Sequence, residues 1–240
     1  MKKTRIFLAV LIVFIGCTSV RAQSLGFYIS AHAGPSFPFG DFAKKDANNS
    51  NSGFAKTGYK GDITVGYNIP FLFSISFTGV LQNNAVDAEP MRLKIAQENP
   101  AYTNWTLDAE SWNVTGLFTG VTKNFSFNKK FFFEVRAFGG TLNFDSPRFT
   151  LRGTSATDNA LIVVNNKTTY AFAYIFAVGC GYNISKNFSL EGNIEYLGAN
   201  PDFTNVKTQT TINGLMTETT SSYSQSFSAF NITAGLRYSF

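Results

Sequence analysis

The sequence predicts an all-β protein: a transmembrane, eight-stranded antiparallel up-and-down β-barrel with long extracellular loops and short periplasmic turns. Three observations carry this expectation. Eight segments alternate apolar and polar residues with the period of two that a half-buried strand requires. The connections between those segments are alternately short and long. The first residues have the three-part form of an export signal. Composition agrees: the 240 residues include 26 Phe and 10 Tyr, with only 15% charged residues. A mean hydropathy of −0.01 is too low for a bundle of membrane helices.

Lys2, Lys3 and Arg5 precede an apolar run from Ile6 to Ile15. That run is too short to cross a bilayer as a helix. Val20-Arg21-Ala22 then sets small residues two apart, the form of a cleavage site. Residues 1–22 therefore read as a signal peptide removed after Ala22, leaving 23–240 as the barrel domain with Gln23 at its start. A competing reading makes Phe14-Ile15-Gly16-Cys17 a lipid-attachment box, although Phe14 stands where such a box wants Leu. The signal holds four of the 20 basic residues and no acid, which leaves 16 basic against 15 acidic residues. No basic patch remains to suit nucleic acid. Cys17 leaves with the signal, so Cys180 is alone and no internal disulfide can form.

The strands follow in order. Phe27 to Phe39 sets Phe27, Ile29, Ala31 and Ala33 against Tyr28, Ser30, His32 and Gly34. Tyr59 to Ile69 sets Ile63, Val65 and Tyr67 against Asp62, Thr64 and Gly66. Phe71 to Gln82 sets Phe73, Ile75 and Phe77 against Ser74, Ser76 and Thr78. Trp112 to Phe125 alternates least cleanly, and Phe131 to Phe144 is the fifth strand. In Tyr170 to Asn183, Phe172, Tyr174, Phe176 and Val178 face alanines and glycines. Phe188 to Leu197 sets Leu190, Ile194 and Tyr196 against Glu191, Asn193 and Glu195. In the last strand Phe230, Ile232, Ala234, Leu236, Tyr238 and Phe240 alternate with Asn231, Thr233, Gly235, Arg237 and Ser239.

Tight turns are expected at Ile69-Pro70, across Ser126 to Lys130 and across Ser185 to Asn187; long loops at Ala43 to Thr57, Asn83 to Ser111, Asp145 to Thr169 and Gly198 to Ser226. Closure is expected because an open sheet edge in hydrocarbon leaves backbone groups unpaired, at several kcal/mol each. A soluble β-sandwich would share the alternation, but its exposed face would be rich in Lys, Glu and Thr rather than aromatic.

The opening Gly26-Phe27-Tyr28-Ile29, the turn-flanked strands and the terminal Leu236-Arg237-Tyr238-Ser239-Phe240 resemble the small outer-membrane barrels of the OmpA/OmpX type. The resemblance covers about the whole mature chain and implies residence in the outer membrane of a Gram-negative-type bacterium, among lipid and lipopolysaccharide. It also implies a barrel-assembly signal, read by the assembly machinery, that falls on Phe240, Tyr238 and Leu236.

If the apolar rows face lipid, Lys60, Asp62, Glu134, Arg136, Glu191, Glu195 and Arg237 face the lumen, with Lys123 as a fourth cation. Buried charges persist when paired, so they read as a structural plug in an interior just wide enough for side chains. Arg237 and Glu191 are the expected neighbours. His32, the only histidine, is placed to bond with Asp62. It lies midway along its strand without a matching catalytic motif, so no catalytic residue is assigned. One histidine and one thiol argue against a transition-metal site, and no cofactor is expected.

In the loops, Asn213-Gly214 is a two-residue hairpin signal with Thr-rich flanks. Phe149 to Leu151 and Leu161 to Val164 read as strand extensions, and Pro90 to Gln97 as a short helix. Together these extensions predict a sheet above the outer leaflet with an open edge. The expected role is non-enzymatic, structural or adhesive, through these loops and a surface protein partner. The alternative is a passive transporter of small, hydrophobic solutes, for which inward Leu72, Phe132, Phe138 and Phe227 are suited; a lipid-modifying enzyme is the third reading.

Overall fold

The computed structural model describes residues 26–49, 51–69 and 73–240. The signal peptide with Cys17 and the Ala22 cleavage point, the turn residue Pro70 and the inward Leu72 lie outside the described residues.

Eight strands form the closed barrel: β1 (Phe27–Pro38), β2 (Gly58–Asn68), β3 (Ser74–Asn84), β5 (Trp112–Ser126), β6 (Phe131–Asp145), β9 (Thr168–Asn183), β10 (Phe188–Ala199) and β13 (Phe227–Ser239). Each pairs antiparallel with the barrel strand before and after it, and β1 pairs with β13 to close the ring. All eight coincide with the segments read from alternation. The register tilts the strands. Following partners from Ala234 through Ala33, Gly61, Leu81, Thr115 and Asn143 to Tyr170 moves steadily toward the long-loop end, the stagger that closure of a barrel demands.

The outer face is apolar. Ile63, Phe77, Leu117, Phe172, Ile194 and Ile232 are each half or more exposed on it. Aromatic rings collect in two belts. The lower includes Phe27 against Tyr67, Phe131 against Tyr182 and Phe188 against Tyr238, with centroids 4.8, 5.0 and 4.9 Å apart. The upper joins Phe39 to Phe230 at 4.7 Å and Tyr174 to Tyr196 at 5.7 Å. Phe188 pairs with Tyr238 and Tyr196 with Phe230, so eight residues of β10 separate the belts. At about 3.4 Å per residue and a tilt near 40°, that is roughly 20 Å of height. An apolar band of roughly 25 Å between aromatic girdles is the lipid-facing surface of a transmembrane barrel.

The remaining strands form a second sheet beyond the upper belt. They are β4 (Thr103–Ala109), β7 (Phe149–Thr154), β8 (Asn159–Val164), β11 (Asp202–Ile212) and β12 (Leu215–Ser224), in the order β12-β11-β8-β7-β4. Helix α1 (Glu89–Glu98) lies beside β4. Ile95 and Ala96 of the helix cover a small core of Trp105, Leu151 and Ala160 on one face of the sheet. The expected extensions, hairpin and helix are thus present. Strand β4 is an addition: Trp105, Leu107 and Ala109 alternate with Thr106 and Asp108 within what reads as loop sequence.

Candidate functional site

The lumen is built in layers. At the short-turn end, the Tyr28 and Phe132 rings lie against the wall where Gly66 and Gly181 leave room; a Cβ at either glycine would enter the neighbouring ring. The Arg237 guanidinium carbon stands 4.3 Å from the Tyr28 ring centroid and 5.6 Å from that of Phe132, within cation–π range. Tyr28 Oη also bonds Ser76 Oγ at 2.7 Å.

Above them runs one connected chain of charge. Lys60 Nζ meets Glu195 Oε1 at 2.5 Å and Asp62 Oδ2 at 2.9 Å. His32 Nδ1 meets Asp62 Oδ1 at 2.9 Å and its Nε2 meets Glu191 Oε2 at 2.8 Å. Glu191 also holds Arg237 Nε at 2.7 Å and Arg136 Nη2 at 3.2 Å. Glu134 accepts from Arg237 Nη2 at 2.8 Å and pairs with Arg136. Asn231 Nδ2 donates to Glu195 Oε1 at 3.0 Å. The seven charged residues Lys60, Asp62, Glu134, Arg136, Glu191, Glu195 and Arg237, together with His32, are buried and joined in this one chain.

Alternation explains the placement. Lys60 and Asp62 are successive inward positions of β2, and Glu134 and Arg136 of β6. The pairs Lys60–Glu195 and Glu134–Arg237 join strands that are not neighbours, so they cross the lumen and tie opposite walls together.

Lys123 is a correction. It pairs with Val135 on the outer row, near the short-turn end of β5, not in the lumen. The fourth lumenal cation is instead His32. Both its ring nitrogens face carboxyl oxygens; with Asp62 and Glu191 ionised these oxygens only accept, so both nitrogens then donate and the ring is an imidazolium. Lys60, Arg136, Arg237 and His32 then balance Asp62, Glu134, Glu191 and Glu195.

The upper lumen is an apolar plug. Phe42, on a single 3₁₀ turn (Gly40–Phe42) of the first loop, is fully buried. It packs on Phe227 at 4.3 Å and Trp112 at 5.7 Å, and Phe144 reaches Phe227 at 5.1 Å. Trp112 Nε1 donates to Gly53 O at 3.0 Å, which fixes the loop over the mouth. Phe132, Phe138 and Phe227 face inward as expected. The sequence reading missed Phe42 and Trp112 as the lid of the lumen. Gly40-Asp41-Phe42 carried a faint signal, an isolated aromatic in a polar loop.

Outside the membrane, Lys45 and Lys56 hold Asp87 at 2.6 and 3.5 Å, clasping the first loop to the second. The hydrogen bond from Lys45 keeps this carboxyl below its ordinary range. The β11–β12 hairpin turns on Asn213 and Gly214, at φ 50° and 82°, the positive values of a type I′ turn. Asn159 N donates to Asn213 Oδ1 at 3.2 Å, and Asn213 N to Asn159 O at 3.2 Å. These bonds clip the hairpin to the tip of the β7–β8 hairpin. Lys207 braces Glu218 across the hairpin at 2.8 Å and holds its carboxyl below the usual range. Strand β12 has no partner on its far side among the described residues. Nine of its ten residues are exposed, and the tenth, Tyr223, is half-buried.

No protein-family model matches the chain, and no curated protein does. Solved structures are similar in fold. Neisserial surface protein A shares 13% identity over 90% of this chain and 97% of its own, at a TM-score of 0.43. Ail, the attachment invasion locus protein of Yersinia pestis, shares 11% over 90% and 99%, at 0.43. A major outer membrane protein of Thermus thermophilus shares 13% over 89% and 99%, at 0.47.

Proposed function

We propose that this is a bacterial outer-membrane surface protein whose closed barrel anchors a protruding sheet, and that the sheet binds another protein by strand addition at the edge of β12. The observation that carries this reading is the edge itself. Strand β12 offers ten residues of backbone unpaired on one side, and contains one charge, Glu218, no lysine and no proline. Natural proteins guard exposed edges with lysine, proline or bulges, because a bare edge templates pairing with another chain. A long unguarded edge is therefore a place for a partner strand, whose main chain supplies affinity. At about 3.4 Å per residue, the eleven residues of β11 span roughly 35 Å, starting from Phe203 and Val206, which pack on the apolar core at the barrel mouth.

Two features favour a non-enzymatic role over the alternatives. Both His32 nitrogens are committed to carboxylates, which leaves none for a substrate. Passage of a solute would need the crossing ion pairs to part and Phe42 to leave the mouth. Phe240, Tyr238 and Leu236 lie on the lipid-facing row, the arrangement that suits a terminal signal read during assembly.

The test replaces residues 204–222 by a short turn and recovers surface partners with both proteins. The shortened chain should fold and lose the partners of the wild type. Recovery of every partner by the shortened chain would overturn the reading.

A further inference from the structure

Charge is segregated along the barrel axis. Among the described residues, every Asp and Glu outside the lumen lies on the long-loop side. The short-turn side carries Lys123, Lys129, Lys130 and Lys186 and, among the described residues, no Asp or Glu. The nearest carboxylates, Glu134 and Glu191, are enclosed in the lumen and held by Arg136, Arg237 and His32. This end is therefore cationic although residues 23–240 as a whole are almost neutral.

The lysines stand among exposed apolar groups. Phe127, in the β5–β6 turn with Lys129 and Lys130, is 76% exposed, and Ile184, beside Lys186, is 60% exposed. The two turns are bound to each other: Asn183 donates through Nδ2 to Lys129 O at 3.0 Å and through its amide to Lys130 O at 2.7 Å. Each is also fixed internally. Asn128 Oδ1 accepts from the amides of Lys130 and Phe131 at 2.7 and 2.8 Å, and Ser185 Oγ from that of Phe188 at 3.1 Å. The result is one rigid cationic patch on one side of the rim, directly below the lower aromatic belt.

We propose that this patch binds the phosphates of anionic phospholipids in the periplasmic leaflet. The belt sets the depth of the rim at the edge of the hydrocarbon. Phe127 and Ile184 then meet acyl chains, while the ammonium groups of Lys129, Lys130 and Lys186 meet the phosphate plane. An acidic soluble protein would satisfy the lysines but would have to cover Phe127 and Ile184 as well; lipid does both without a further interface. The proposal rests on the barrel spanning its membrane with short turns on the periplasmic side, and it is independent of what the β12 edge binds.

The experiment uses the full barrel, residues 23–240, in vesicles of phosphatidylcholine doped with spin-labelled phosphatidylglycerol or phosphatidylcholine. The readout is the relative association of each label with the protein. A lysine at an anionic surface is worth about a fivefold preference, so the wild type should favour phosphatidylglycerol at least that much. A triple variant, Lys129→Gln, Lys130→Gln and Lys186→Gln, should lose the preference. A control with equal charge removed on the other side, Lys44→Gln, Arg148→Gln and Lys167→Gln, should keep it. In the wild type alone, raising salt to about 1 M, where the screening length falls to about 3 Å, should abolish it, which gives a test that needs no variant to fold. Equal association of both lipids with the wild type, or equal loss in both triple variants, would overturn the proposal. So would lysine-dependent retention of an acidic periplasmic protein without any lipid preference.

Discussion

Glu191 is the point at which the lumenal charge chain is most exposed to perturbation. Its carboxylate is fully enclosed and meets three cations: His32, Arg136 and Arg237. Glu191→Leu leaves those three cations with one fewer acceptor and the lumen with a net positive charge. Breaking a buried pair from one side costs about 3–5 kcal/mol, because an uncompensated charge remains. Arg237→Met is expected near the lower end of that range, since Glu191 keeps His32 and Arg136 and Glu134 keeps Arg136. The double variant restores neutrality with residues of similar volume, a replacement that is often close to neutral. It should therefore be more stable than Glu191→Leu alone, by at least about 2 kcal/mol on the same scale. The assay is urea unfolding in detergent micelles followed by tryptophan fluorescence, with Trp112 enclosed at the barrel mouth as reporter. With a slope of about 2 kcal/mol/M, the midpoint of Glu191→Leu should fall by about 2 M. Double and single variants of equal stability, or strictly additive losses, would refute the network.

Other expectations follow from the same architecture. N-terminal mass spectrometry of membrane-extracted protein should find Gln23; a lipid-modified Cys17 would contradict the cleavage reading. Deletion of Phe240, which ends the lipid-facing row of β13, should lower outer-membrane yield and leave unfolded periplasmic chain, whereas unchanged insertion would remove the assembly role. In planar bilayers the wild type should show no large, steady conductance, because ion pairs cross the lumen and Phe42 fills its mouth; a stable large channel would contradict the plug.

The barrel was legible because lipid and lumen impose opposite demands on alternate residues, and eight segments obey them. The interior was legible as a set and not as a map. His32 and Asp62 share neighbouring strands, but Glu191, the second carboxylate on His32, lies 159 residues away. Its height in the lumen depends on the stagger of the whole barrel, which no local pattern contains. Lys123 was misplaced because β5 carries the plug: Trp112, Val114 and Phe118 point inward while Asn113, Thr115 and Thr119 point outward. On such a strand polarity no longer separates the faces. The Phe42 lid and strand β4 depend on contacts between distant loops. The β11–β12 hairpin, by contrast, was legible from Asn213-Gly214, because its turn needs two positive φ values and few residue pairs accept them.

Amide hydrogen exchange along β12 tests the central claim most directly. The protein is measured in detergent alone and with a surface partner recovered by the wild-type chain. Strand addition predicts that amides between Met216 and Ser222 become protected when the partner binds, while exchange in the barrel strands stays as it was. Binding that leaves β12 unprotected, with protection confined to other loops or to the barrel, would contradict the account.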